Sequence, residues 1–183
     1  MVATRVPLRM IVLVNAMIPL PGEKPGDWWG ATGALEARLA ADEDAGRSTD
    51  FDVERHFLHD VPEDVQARMF TQSPPREPAD TPFAQPCEFE RWPDIPVRVL
   101  VGTDDRFFPA EFQRRVAMDR LAVDVDEIEA GHLVALSNPT ALGRPARRLP
   151  RRGLSRDSAG HPRLSSTRCP SRPSLICALG SAA

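Results

Sequence analysis

VRVLVGTDDRFFPAEFQRRVAMDRLAVDVDEIEAGHLVALS, residues 97–137, decides how this chain is read. It opens on Val97-Arg98-Val99-Leu100-Val101, a short β-branched run of the kind a buried strand needs. Gly102-Thr103-Asp104-Asp105 follows as a turn, and Pro109 starts a helical pattern over 110–121. Phe112, Val116, Ala117 and Leu121 recur there on one face as a core stripe. A second strand pattern covers 123–128 and runs into Gly131-His132. A strand ending in Asp and a later one ending in Gly-His set a carboxylate and an imidazole at the carboxyl edge of one sheet. Open α/β sheets hold their chemistry at that edge.

These residues resemble the last third of the α/β-hydrolase family. There, Gly-x-x-Asp-x-x-x-Pro carries the triad acid and Gly-His the triad base. Gly102, Asp105 and Pro109 fill the first pattern, and Gly131 and His132 the second. Asp105 and His132 stand 27 positions apart, room for one helix and one strand as that architecture requires. Asp105 is preferred to Asp104 because it alone stands at the family's Gly-x-x-Asp position. The resemblance implies an α/β fold over 1–143: the last strands of a hydrolase sheet with a small helical lid at about 20–92. It also implies hydrolysis of an ester or similar small carbonyl substrate by Ser-His-Asp chemistry, with Asp105 and His132 catalytic and no cofactor. Imidazole suits the base because its ordinary pKa, about 6.5, lies near working pH. The carboxylate holds the tautomer and stabilises the imidazolium.

In that family the serine precedes the acid and the base on a Gly-x-Ser-x-Gly elbow. No such elbow occurs in this sequence, and Ser137 is no substitute, lying five residues after His132 with no elbow around it. Residues 8–14 resemble the family's sixth strand, which follows the nucleophile helix. The expectation is therefore a truncated, inactive form whose elbow lies upstream of Met1. A reading from another class stays open: a non-catalytic binding protein using the lid cleft or a basic tail.

The apolar run at 10–14 follows Arg5 and Arg9, as in a signal peptide, but Asn15 and Pro19 break it and no small-x-small site follows. A buried strand is the better reading, and the run is too short to cross a bilayer. Hydrophobic residues at 42% and charged residues at 27% are those of a globular chain, for which 183 residues suggest one domain. The three cysteines lack C-x-x-C spacing, so neither a zinc site nor a redox pair is indicated, and a reducing cytoplasm is the default.

Residues 19–33 read as turn-rich, with Trp28 and Trp29 on a loop covering a core edge or capping a substrate pocket. A helix is expected over 35–41, with Ala31, Leu35 and Leu39 on one face. Residues 36–64 are acidic, which reads as a solvated face. His56 and His59 lie close to Asp52 and Asp60, but His-x-x-His is no zinc-helix signature and no third ligand follows, so no metal is expected. A lid helix is expected over 63–70, with Asp60 or Glu63 helping at its amino end. The proline-rich stretch 71–96 reads as irregular, docking through Phe83, Phe89 and Trp92. Phe107 and Phe108 line the pocket or fill the core. A final helix is expected over 133–142, with Pro139 interrupting it or beginning it anew.

Residues 144–183 change character, with nine arginines against the single acid Asp157 and no period, which reads as disorder. Nucleic acid is not an expected partner, because no aromatics interleave with the arginines to stack bases. An acidic partner surface is a second reading of the charge. The favoured one is a frame-shifted ending, since the resemblance stops near Gly143. A small molecule is the expected partner, no membrane is implied, and the oligomeric state is not legible.

Overall fold

The computed structural model of this chain describes residues 7–72, 81–147 and 176–179. Its centre is a parallel sheet in the order β3-β2-β1-β4, formed by β1 (Ile11–Val14), β2 (Val97–Gly102), β3 (Val125–Ile128) and β4 (Ile176–Leu179). Ile11 stands opposite Val97, Val99 opposite Val125 and Gly102 opposite Ile128. On its other side β1 pairs Ile11 with Ile176.

Alternation along the strands divides the core between the two faces of the sheet. Leu13, Val99 and Val101 join Trp28, Phe57, Phe107, Phe108, Phe112 and Val116 in one cluster. Met10, Val12, Val14 and Leu100 join Ile128, Ala130 and Val134 in the other. Both faces are covered, which is why β1 and β2 read as continuous apolar runs rather than alternating ones. Burying each such side chain contributes about 1.5–3 kcal/mol before entropy is counted.

The helix α5 (Ala110–Leu121) lies where the spacing predicts, burying Phe112, Val116 and Ala117 and ending at Ala122 with φ 52. Beyond β3, Pro139 begins a new helix rather than breaking one. The chain makes a four-residue turn, α6 (Val134–Ser137), and then α7 (Pro139–Arg147). The predicted disorder of 144–183 falls mostly outside the described residues. Within them, α7 runs to Arg147, and the strand Ile176–Leu179 is an element that the sequence did not signal.

The lid differs from expectation in two places. Residues 25–32, read as loop, form α1 (Pro25–Thr32), because Pro25 sits in the first turn, where a missing N–H is harmless. Gly33, at φ 68, ends it with its N–H on Trp29 O. Trp28 is fully buried, with its indole N–H donating to Ile18 O at 3.1 Å. The second correction concerns α2 (Ala34–Asp44), which turns Ala34, Arg38 and Asp42 inward and leaves Leu35 exposed, while Ala31 falls in α1 and is exposed too. An ionic cluster outweighs the apolar stripe. Asp42 accepts from Arg38 at 3.0 Å and Arg47 at 2.9 Å, and His56 Nε2 lies 3.1 Å away. His56 belongs to a π-helical turn, Glu54–Leu58, and Phe51 stacks on its ring.

The lid continues through α3 (Glu63–Gln72) and the single turn α4 (Thr81–Ala84). The proline-rich return docks as expected at Phe89 and Trp92, whose rings pack together, with the Trp92 indole N–H donating to Pro19 O. No helix among the described residues is long and apolar enough to cross a membrane.

Candidate active site

The site lies at the carboxyl ends of β2 and β3. After Gly102 the chain turns sharply, and Thr103 N–H donates to Ile128 O while Asp104 N–H donates to Ala130 O, tying the acid turn to the exit of β3. The two backbones approach so closely that a Cβ at Gly102 would stand 2.5 Å from Ala130 O and 2.8 Å from Gly131 O. Only glycine fits there, a physical reason for the first residue of Gly-x-x-Asp.

Asp105 is buried, and its carboxylate accepts four hydrogen bonds among the described residues. Oδ1 accepts from the backbone N–H groups of Phe107 at 2.8 Å and Phe108 at 2.9 Å. Oδ2 accepts from Gln113 Nε2 at 3.1 Å and His132 Nδ1 at 2.9 Å. A buried carboxylate is tolerable only when its lone pairs are satisfied in this way. Because an ionised carboxylate only accepts, Nδ1 carries the proton and Nε2 of a neutral His132 is left with its lone pair. Nε2 makes no hydrogen bond among the described residues.

His132 is held from three sides. Its ring meets Phe57, Phe107 and Phe108 edge to face, with centroids 4.7, 5.3 and 5.4 Å away. Its backbone O accepts from Asn15 Nδ2 at 2.9 Å, as does Gly131 O at 3.0 Å. Asn15 Oδ1 in turn accepts from Gly102 N–H at 2.8 Å. One buried amide at the end of β1 thus clamps both motif loops. Asn15 has φ 43, a conformation asparagine tolerates better than most residues.

The lid reaches the same place. Asp60 bonds to Gly131 N–H rather than to the amino end of the next helix. His59 lies beside it, and burial, with Arg106 nearby, holds its imidazole below the ordinary value of 6.5. A cleft of 430 Å³ opens beside Asp105 between lid residues Arg47, His59 and Asp60 and turn residues Thr103, Asp104 and Arg106. Among the described residues no group of three or more His, Cys, Asp or Glu is arranged to hold a metal ion. Ser137 Oγ, at the end of α6, is buried without a hydrogen-bond partner among the described residues.

The two motif residues singled out in the sequence, Asp105 and His132, are therefore in direct contact. Phe107 and Phe108 lie in the core, and their rings pack against the imidazole. Asn15, Gln113 and Asp60 are the site residues that sequence reasoning missed. Asn15 carried a signal, a polar residue closing an apolar strand, and Gln113 another, an amide beside the core stripe of α5.

Neither a curated protein nor a solved structure matches the chain. Compared with models of known families, residues 1–144 match the one described as the alpha/beta hydrolase family. That match takes in β1, β2 and β3, the lid and both motif loops, and the chain belongs to the alpha/beta hydrolase family.

Proposed function

We propose that His132 is the general base and Asp105 its orienting acid in a serine hydrolase that cleaves an ester or a similar small carbonyl substrate. The observation that carries this reading is the 2.9 Å hydrogen bond from His132 Nδ1–H to Asp105 Oδ2, buried from water. With Nδ1 protonated, Nε2 takes the proton of a serine hydroxyl as its oxygen attacks the carbonyl, then returns it to the leaving alkoxide. Asp105 stays ionised throughout and stabilises the imidazolium between those steps.

The nucleophile is a serine on a Gly-x-Ser-x-Gly elbow, which the 183 residues do not contain. The described serines, Ser48 and Ser137, sit on no such turn. The test is to read the coding sequence ahead of the Met1 codon and to treat the product of the whole frame with a fluorophosphonate. An in-frame elbow, and labelling that His132→Ala abolishes, support the reading. No elbow and no labelling sink it, and leave a lid-covered binding protein without turnover.

A further inference from the structure

Gln113 is buried on α5, four residues after Pro109. Its Nε2 lies 2.6 Å from Phe108 O, 3.1 Å from Asp105 Oδ2 and 3.3 Å from Asn15 Oδ1. All three neighbours are acceptors, so turning the amide over would set Oε1 against three oxygens, and the orientation follows from the chemistry. Phe108 O takes one of the two N–H groups and Asp105 and Asn15 share the other. Oε1 is buried without a partner among the described residues. A methionine of similar length would fill the space beside Phe112, Val116 and Ala117 and remove the unpartnered Oε1, but it would take from Phe108 O, Asp105 Oδ2 and Asn15 Oδ1 the donor they share.

We propose that Gln113 is a positioning residue for the acid–base pair, an inference that rests on the reading of Asp105 and His132 given above. Asp105 Oδ1 is anchored by the Phe107 and Phe108 N–H groups, which leaves Oδ2 to swing about that anchor. Gln113 stops the swing and aims Oδ2 at His132 Nδ1. Through Asn15, the same amide ties the carboxylate to the carbonyls of Gly131 and His132. Acid and base are thereby referenced to one pair of amides rather than to separate loops.

The experiment is proton NMR of the 183-residue chain, following the low-field Nδ1–H resonance of His132. Asp105→Ala identifies the signal by removing it. In Gln113→Met the signal exchanges with water about tenfold faster, the scale of one hydrogen bond to a charged group. The backbone amide of Leu100 in β2 keeps its protection. Gln113→Asn, one methylene short, gives the same result with polarity retained. A Nδ1–H signal unchanged in both variants overturns the role of Gln113 and leaves the pair standing. So does exchange that accelerates at Leu100 as much as at His132, or failure of both variants to fold, since Gln113 is then merely structural. Absence from the wild-type chain of any signal that Asp105→Ala removes overturns the pair itself, and with it both readings.

Discussion

Asp60 holds the backbone N–H of Gly131, so a lid side chain fixes the residue that precedes His132. A Cβ at Gly131 would stand 2.5 Å from Asp60 Oδ1 and 2.8 Å from His59 Nε2. Lid and base loop are in contact at Gly131, where a side chain would separate them.

Gly131→Ala is expected to cost about 1–3 kcal/mol of stability, the scale of an overpacked site. Asp60→Ala removes the hydrogen bond and the Asp60 share of the clash, leaving His59 Nε2. In that background Gly131→Ala is expected to cost measurably less. Urea denaturation of the four proteins of this cycle measures the coupling. Additive costs would show that Asp60 and Gly131 do not act on each other.

The inward face of α2 carries a buried ionic cluster rather than an apolar stripe. Asp42→Ala leaves Arg38 and His56 buried without their partner and is expected to cost about 3–5 kcal/mol. Arg68→Ala breaks an exposed pair with Asp64 and is expected to change stability by about 1 kcal/mol at most. Thermal unfolding of the two variants side by side separates the cases. Equal effects would contradict the assignment of the buried cluster.

Acid should loosen the same elements. Burial alone would raise the Asp42 carboxyl, but His56 and Arg47 outweigh it and hold the group below its ordinary 3.8. Burial opposes the shift of Glu23 in the same way. Both of its oxygens face Arg120, and Leu20 N–H adds to the pull that holds it below 4.5. A folded value below the unfolded one means that this stability is complete above the ordinary carboxylate range. It is lost as pH falls through the folded values. Asp42→Asn and Glu23→Gln should therefore flatten the acid limb of a stability–pH curve below about pH 4.5. An unchanged acid limb would count against the pairs.

His59 titrates in a different window. Burial lowers it first and Arg106 adds to the effect, against the opposing pull of Asp60 and Asp104. The unfolded chain therefore binds the proton before the folded one does. The contribution of His59 is fully present above 6.5 and declines as pH falls below that value. His59→Gln should remove the part of the slope of stability that sets in as pH falls below about 6.5, while leaving the carboxylate limb at lower pH. A wild-type curve flat across that window would contradict the burial of His59.

What was legible in the sequence follows from the range of the forces involved. The strands at 97–102 and 125–128 and the helix at 110–121 declare themselves, because apolar spacing is a local signal that burial on the sheet reinforces. The two glycines of the motifs were legible as pattern, and the structure supplies the reason: at each, a Cβ would meet atoms from a distant part of the chain. The α2 face was misjudged because composition cannot reveal that Asp42 finds Arg47 and His56 across a loop. The helix at Trp28 was missed because Gly and Pro around it read as turns, while burial of the indole decides the matter. Asn15 and Gln113 stood out locally as polar residues in apolar surroundings, but Asn15 finds Gly102 across 87 positions and Gln113 across 98, so their partners were beyond any local pattern.

The most direct test of the central claim is ester hydrolysis by the product of the whole reading frame, assayed with a short-chain p-nitrophenyl ester. If Asp105 and His132 are the acid and base of a serine hydrolase, Asp105→Asn leaves the fold intact and lowers kcat by about 10⁴. His132→Ala is expected to do at least as much, with KM little changed in both. Turnover that survives either substitution within a few-fold would show that the Asp105–His132 hydrogen bond is an architectural contact and not the working pair.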